Sequence, residues 1–261
     1  MDSGLRNPLR SQMVILFVSL LSLIGFLFVV FLKSGFTEAD LAVSSWTVLI
    51  RMSSLTLMAR TIAYCFDTIV LLLLSLLVAY YYFKKGYSKC ALLFLGSMSG
   101  IAALVAILKL LVYSPRPLNS IMEKTALFQY YGAENSFPSG HVTGTAVFFG
   151  LLVYFMWQHW KSSNVKISLS VLFVMVEILI GFSRLYLNVH WLSDVTGGYL
   201  LGSFWLTFSI LLFSMPIRLI DEARGSRKFW ASRLKMWFKR RWLYSDCGCW
   251  LLGAGAVDVD V

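Results

Sequence analysis

The chain has 261 residues, 58% of them apolar and only 14% charged, with a mean hydropathy of +0.73. Soluble domains carry about 25% charged residues, so a chain this poor in charge cannot clothe a water-facing surface, and a soluble fold is excluded. The net charge of +10 does not point to nucleic acid. Nine of the 23 Lys and Arg residues fall between Arg218 and Arg241, directly after the last apolar run, where they can face anionic headgroups.

A bilayer core about 30 Å thick takes about 20 helical residues, each rising about 1.5 Å. Met13–Leu32 is such a run and carries no charge. It exceeds the 7–15 residues or so of a signal-peptide core, and no small-residue cleavage site follows it, so it reads as a retained anchor. In Asp40–Arg60, Arg51 would lie in the middle of a span at considerable cost, and Ser and Thr interrupt the apolar residues. That stretch reads as an interfacial helix starting near Thr37, with Asp40 in its first turn. Five more spans follow: Thr61–Phe83, interrupted by Asp67; Cys90–Tyr113, with Lys109 near its end; Val142–Trp160; Ile167–Ser183, containing Glu177; and Val195–Ile217.

The expected fold is therefore all-α: a polytopic membrane protein of six transmembrane helices, with an interfacial helix between the first two. Residues 1–217 form the membrane unit and residues 218–261 a basic, aromatic-rich tail. With both termini inside, sixteen of the 23 basic residues lie on the inner side, which selects this topology. The expected location is the inner (plasma) membrane, with cytoplasmic termini. Up to Trp242 the tail reads as an amphipathic helix on the inner surface, and Gly253–Val261 as disordered. The four cysteines make no disulfide framework and no zinc site, and Cys247 and Cys249 are assigned no role.

On this topology the polar residues gather at one end. Lys109 and Arg116 flank the outer end of span three, His141 opens span four, Arg184 closes span five, and His190 and Asp194 lead into span six. One such residue alone is more often structural, because an outer Arg snorkels and an interfacial His satisfies a carbonyl. Three cations, two histidines and a carboxylate on one face favour phosphoryl transfer. Lys109, Arg116 and Arg184 suit a phosphate. Ser139 and Gly140 stand just before a helix, whose free amides point at an anion. His190 and Asp194 are four apart, a helical spacing that lets a carboxylate orient an imidazole, while His141 can protonate a leaving alkoxide. Asp67 is expected to cap a helix or pair with a base such as Arg60. Glu177 is expected to pair with a cation in the bundle, in preference to lining the pocket floor, and is left out of the site.

Three segments resemble the type 2 phosphatidic acid phosphatase family, which is related to the vanadium-dependent haloperoxidases. They are Lys109-LLVYSP-Arg116-Pro117, Pro138-Ser139-Gly140-His141 and Ser183-Arg184-LYLNV-His190-WLS-Asp194, in the family's order and spacing. The resemblance covers about 92–212. It implies that His190 is a nucleophile forming a phosphohistidine, oriented by Asp194, and that His141 protonates the leaving oxygen. It also implies that Lys109, Arg116, Ser139, Gly140 and Arg184 hold the phosphoryl oxygens. Neither metal nor cofactor is implied. Many members carry a further Arg two positions before the one matching Arg116; here Ser114 stands there. The implied activity is hydrolysis of a lipid phosphate or diphosphate, such as undecaprenyl diphosphate, phosphatidylglycerophosphate or phosphatidate, at the outer face. The implied partners are that substrate and the surrounding lipids, with no nucleic acid. Phosphotransfer through the same phosphohistidine, and lipid binding or transport without turnover, are the alternatives.

Overall fold

The computed structural model describes residues 8–118, 120, 135–160 and 162–214. Among them are eight α-helices: α1 (Pro8–Phe31), α2 (Thr37–Leu49), α3 (Ser53–Cys65), α4 (Thr68–Lys84), α5 (Ser88–Leu111), α6 (Gly140–His159), α7 (Ser163–Tyr186) and α8 (Leu192–Ser214). A single 3-10 turn, Lys33–Phe36, joins α1 to α2. The tail after Ser214, including Cys247, Cys249 and the expected amphipathic helix, lies outside the described residues. Cys65 is an exposed free thiol, and Cys90 is buried in the core.

The protein is an integral membrane protein. Five helices (α1, α5, α6, α7 and α8) are long and apolar enough to cross a bilayer, and α3 with α4 makes a sixth crossing if the bent pair is one span. Their outer faces carry the apolar side chains that a soluble fold would hide: Phe17, Ile24 and Phe28 on α1, Leu73 and Leu77 on α4, Val171 and Ile178 on α7 are all exposed. Inside, Phe26, Val29, Leu71, Phe94, Ile101, Val142, Leu151 and Leu201 form a continuous core.

The backbones of α6 and α8 approach closely. A Cβ placed on Gly202 would lie 2.8 Å from the Ala146 Cβ and 3.1 Å from the Thr143 carbonyl oxygen. Glycine is therefore required for the backbones to approach, as at many membrane helix crossings. The approach sets the first turn of α6 beside the first turn of α8.

The segment between the first two spans differs from the single interfacial helix expected over Asp40–Arg60. It is two helices, α2 and α3, broken at Ile50–Met52, so Arg51 sits in a turn rather than mid-helix. The expected second span Thr61–Phe83 is not one straight helix: it is broken at Phe66–Asp67, and α4 begins at Thr68. Asp67 stops the helix there: its side chain accepts a hydrogen bond from the Ile69 amide at 3.0 Å and caps α4, which turns 45° from α3. Because neighbouring spans alternate in direction, the ends of α1, α5 and α7 and the starts of α4, α6 and α8 share one end of the bundle, under α2 and α3.

Candidate active site

At that end, three loops are stitched together before any catalytic role need be considered. Pro115 and Asn135 form an antiparallel bridge, with the Ser136 amide donating to the Ser114 carbonyl at 2.7 Å. The Trp191 indole donates to the Pro115 carbonyl at 2.7 Å. The Ser139 amide donates to the Asp194 carbonyl at 3.1 Å, joining the start of α6 to the start of α8. Asn188 turns the chain out of α7 at φ 53°, a left-handed conformation that Asn tolerates better than most residues. Its side chain is held by Ser44 of α2, whose hydroxyl donates at 2.8 Å. The residues at 109–116, 136–141 and 183–194 are thereby held in one cluster.

Within it, His190 lies in the loop before α8, not on the helix. Its Nδ1 is 3.5 Å from Asp194 Oδ2, and both side chains are buried. Among the described residues no hydrogen bond engages the other ring nitrogen, Nε2. Asp194 is held on both oxygens: Oδ2 accepts from the Trp191 amide at 2.9 Å and Oδ1 from the Lys33 ammonium at 2.8 Å. Burial pushes the His190 imidazole down to about 3, against the opposing pull of Asp194, so the ring is neutral at ordinary pH.

Arg116 donates to the Val189 carbonyl at 2.7 Å, one residue from His190. Burial brings its guanidinium down to about 10, and it remains charged. Among the described residues Lys109 meets no anionic side chain. It donates to the carbonyls of Asn135 at 3.0 Å and Ser136 at 3.3 Å, just ahead of the Pro138–His141 motif. Arg184 is only 1% exposed, and with Arg116 it lies near enough to act electrostatically on His141. The Ser139 hydroxyl is buried without a hydrogen-bond partner, and Gly140 begins α6. His141 Nε2 faces Asp67 Oδ2 at 3.5 Å, so the residue that caps α4 also meets the second histidine.

Two residues that sequence reasoning did not place here belong to the cluster. The sequence assigns no role to Lys33, and nothing in its neighbours distinguishes it from an ordinary charge at the end of an apolar run. Asp40 was read as a first-turn helix residue, and it is one. Its carboxylate also accepts from the Ser193 amide at 2.8 Å and the Ser193 hydroxyl at 2.7 Å, fastening α2 to α8. Burial raises the Asp40 carboxyl, opposed by those hydrogen bonds. Glu177 corrects an expectation: among the described residues it pairs with no cation and accepts from the Thr145 hydroxyl at 3.2 Å. No group of three or more His, Cys, Asp or Glu able to hold a metal exists among the described residues.

Residues 90–218 match the PAP2 superfamily model. The chain is 38% identical over 68 residues to the phosphatidylglycerophosphatase B of Bacillus subtilis, covering 26% of this chain and 34% of that protein. It is 33% identical over 111 residues to the undecaprenyl-diphosphatase of Sulfolobus acidocaldarius, covering 41% of this chain and 48% of that protein. The chain thus spans between a third and a half of the length of these relatives. The crystal structure of a transmembrane PAP2-type phosphatidylglycerolphosphate phosphatase from Bacillus subtilis superposes with a TM-score of 0.63 at 25% identity, covering 79% of this chain and 98% of that one.

Proposed function

We propose that this PAP2 superfamily protein is a membrane phosphatase that hydrolyses a lipid phosphate or diphosphate through a phosphohistidine, at the outer face of the membrane. The observation that carries the reading is the buried His190 with Nδ1 turned to Asp194, set beside Arg116 and the first turn of α6. A neutral, oriented imidazole among cations is what in-line attack on a phosphoryl group needs.

In the first step His190 Nε2 attacks phosphorus while Asp194 holds the Nδ1 proton and balances the imidazolium charge. The bond from phosphorus to the lipid or phosphate leaving oxygen breaks, and His141 gives that oxygen a proton. In the second step His141 takes a proton from water, the resulting hydroxide oxygen bonds to phosphorus, and the P–N bond breaks. Inorganic phosphate leaves, and the electron pair returns to Nε2. Lys109, Arg116, Arg184, the Ser139 hydroxyl and the Gly140 amide offset the charge of the equatorial oxygens. No metal takes part in this scheme.

An apolar cleft between α4, α5 and α6, lined by Leu71, Leu72, Met98, Ile101 and Val105, runs up to Gly140. It supports a lipid substrate, with its chain lying among the helices and its phosphate at the start of α6. The placement of the site at the outer face follows from the sixteen of 23 basic residues on the opposite side. Undecaprenyl diphosphate and phosphatidylglycerophosphate are the first substrates to try, since the named relatives act on them.

The test is phosphate release by detergent-purified protein in excess EDTA from undecaprenyl diphosphate, phosphatidylglycerophosphate, phosphatidate and a soluble ester, with His190→Ala alongside. Release from a lipid, abolished in the variant and indifferent to EDTA, is the expected result. A normal rate in His190→Ala would refute the nucleophile. Transfer of phosphate to an added alcohol in place of release would identify a phosphotransferase.

A further inference from the structure

We propose that Lys33, at the end of the anchor helix α1, is a positioning residue of the active site, acting on His190 through Asp194. This rests on the reading of His190 as the nucleophile.

The Lys33 ammonium lies 2.8 Å from Asp194 Oδ1 and also donates to the Ser114 hydroxyl. It stands 4.3 Å above the Phe137 ring, a cation–π contact. Phe137 is stacked on Phe26 of α1 and fills the space over Gly197 of α8, where a Cβ would come within 2.6 Å of the ring. The end of α1 is therefore seated on the start of α8 by both packing and charge. The segment that follows Lys33 adds a second fastening through Asp40 and Ser193.

The position of Lys33 relative to the dyad decides what it can do. It meets Oδ1, while His190 faces Oδ2, so it stands behind the carboxylate and away from the side on which Nε2 is free. It is not placed as a phosphate ligand. The other charged groups around Asp194 are Asp40, Lys109, Arg116 and His190. Lys109 is directed at the Asn135 and Ser136 carbonyls and Arg116 at the Val189 carbonyl. Among the described residues, Lys33 is the cation in ion-pair contact with Asp194.

Asp194 has no exposed side-chain surface. A carboxylate so placed needs a counter-charge to stay ionised and two fixed oxygens to stay aimed. Lys33 fixes one oxygen and the Trp191 amide the other, which leaves Oδ2 pointed at the histidine. Without Lys33, Oδ1 keeps only the 3.5 Å contact to the Ser114 hydroxyl, so the carboxylate takes up a proton or turns more readily, and either change weakens its pairing with Nδ1 and with it Nε2 as a nucleophile.

The test compares full-length wild type with Lys33→Met, Lys33→Gln and Lys33→Arg, with thermal unfolding recorded for each. Lys33→Gln keeps a donor for Ser114 and removes only the charge, and it stands in if Lys33→Met does not fold. With the lipid that wild type hydrolyses, the neutral variants are expected to lose about 10²-fold in kcat. KM stays within about twofold and Lys33→Arg recovers most of the rate, because uniform binding is untouched. An unchanged kcat in a folded neutral variant overturns the proposal, as does a raised KM at constant kcat, which would make Lys33 a substrate ligand. A second readout needs no lipid: modification of His190 by diethyl pyrocarbonate, followed by peptide mass. It is expected to slow about fivefold in the neutral variants and not in Lys33→Arg. Equal labelling in all four proteins overturns the proposal. Labelling that depends on Lys33 in a protein that hydrolyses none of the lipids would instead uphold the pairing and refute the phosphatase reading.

Discussion

The candidate active site contains two histidine–carboxylate pairs of equal separation and unequal surroundings. His190 and Asp194 are 3.5 Å apart in the interior, with both carboxylate oxygens held by a lysine and a backbone amide. His141 and Asp67 are also 3.5 Å apart, but the Asp67 side chain is 41% exposed and its other task is to cap α4. The difference matches two kinds of chemistry. A nucleophile gains from a fixed, dry setting in which orientation is settled before the substrate arrives. A group that gives a proton to a leaving oxygen and takes one from water needs access to solvent, and a carboxylate at the bent α3–α4 junction stands at such an edge.

The contrast can be broken at each pair in turn. Asp194→Asn should have the largest effect, a loss of about 10³-fold in kcat, because the amide cannot balance the imidazolium. Folding should be largely retained, since the Lys33 side chain is partly exposed and can turn to water; an unchanged rate would remove the orienting role. His141→Ala should lose about 10²-fold with a lipid alkoxide leaving group, and less than tenfold or so with p-nitrophenyl phosphate, whose leaving group needs no proton. Equal losses with both substrates would show that His141 binds rather than protonates.

Asp67→Asn isolates the weaker pair. Asn caps a helix about as well as Asp, so stability should hold while the rate falls about fivefold. Asp67→Ala should cost about 1 kcal/mol more in unfolding. A last effect concerns pH and is read in stability rather than rate. His190 titrates near its ordinary 6.5 when unfolded and at about 3 when buried, so between those values the unfolded chain binds the extra proton. Stability conferred by the neutral ring is present above 6.5 and drains as pH falls toward 3. The melting temperature of wild type should drop more steeply over that window than that of His190→Gln. Parallel curves would show that His190 is not buried neutral.

How much was visible before the fold can be judged residue by residue. The spans were legible because length and the absence of charge suffice to identify them, and Asp40 was rightly put in the first turn of its helix. The break at Ile50–Met52 was not, since Arg51 signals that a span is unfavourable without saying where a helix must turn. Glu177 looked like a partner for a cation because a carboxylate in lipid needs one; the Thr145 hydroxyl on α6 serves instead, a contact 32 residues away in sequence. Lys33 was the clearest omission. A lysine after an apolar run is the commonest of flanking charges, and its partner Asp194 is 161 residues distant.

By itself the sequence determined that the chain lives in a bilayer, that it is helical, and that its ionisable residues collect at one end of the bundle, because each follows from local cost in a medium that rejects charge. Only the tertiary structure decided which of those residues touch. The glycine-mediated approach of α6 to α8, the docking of α1 on α8 through Phe137, and the turn of α3 against α4 at Asp67 are products of packing between distant segments. They determine which carboxylate meets which histidine and which lysine stands behind it.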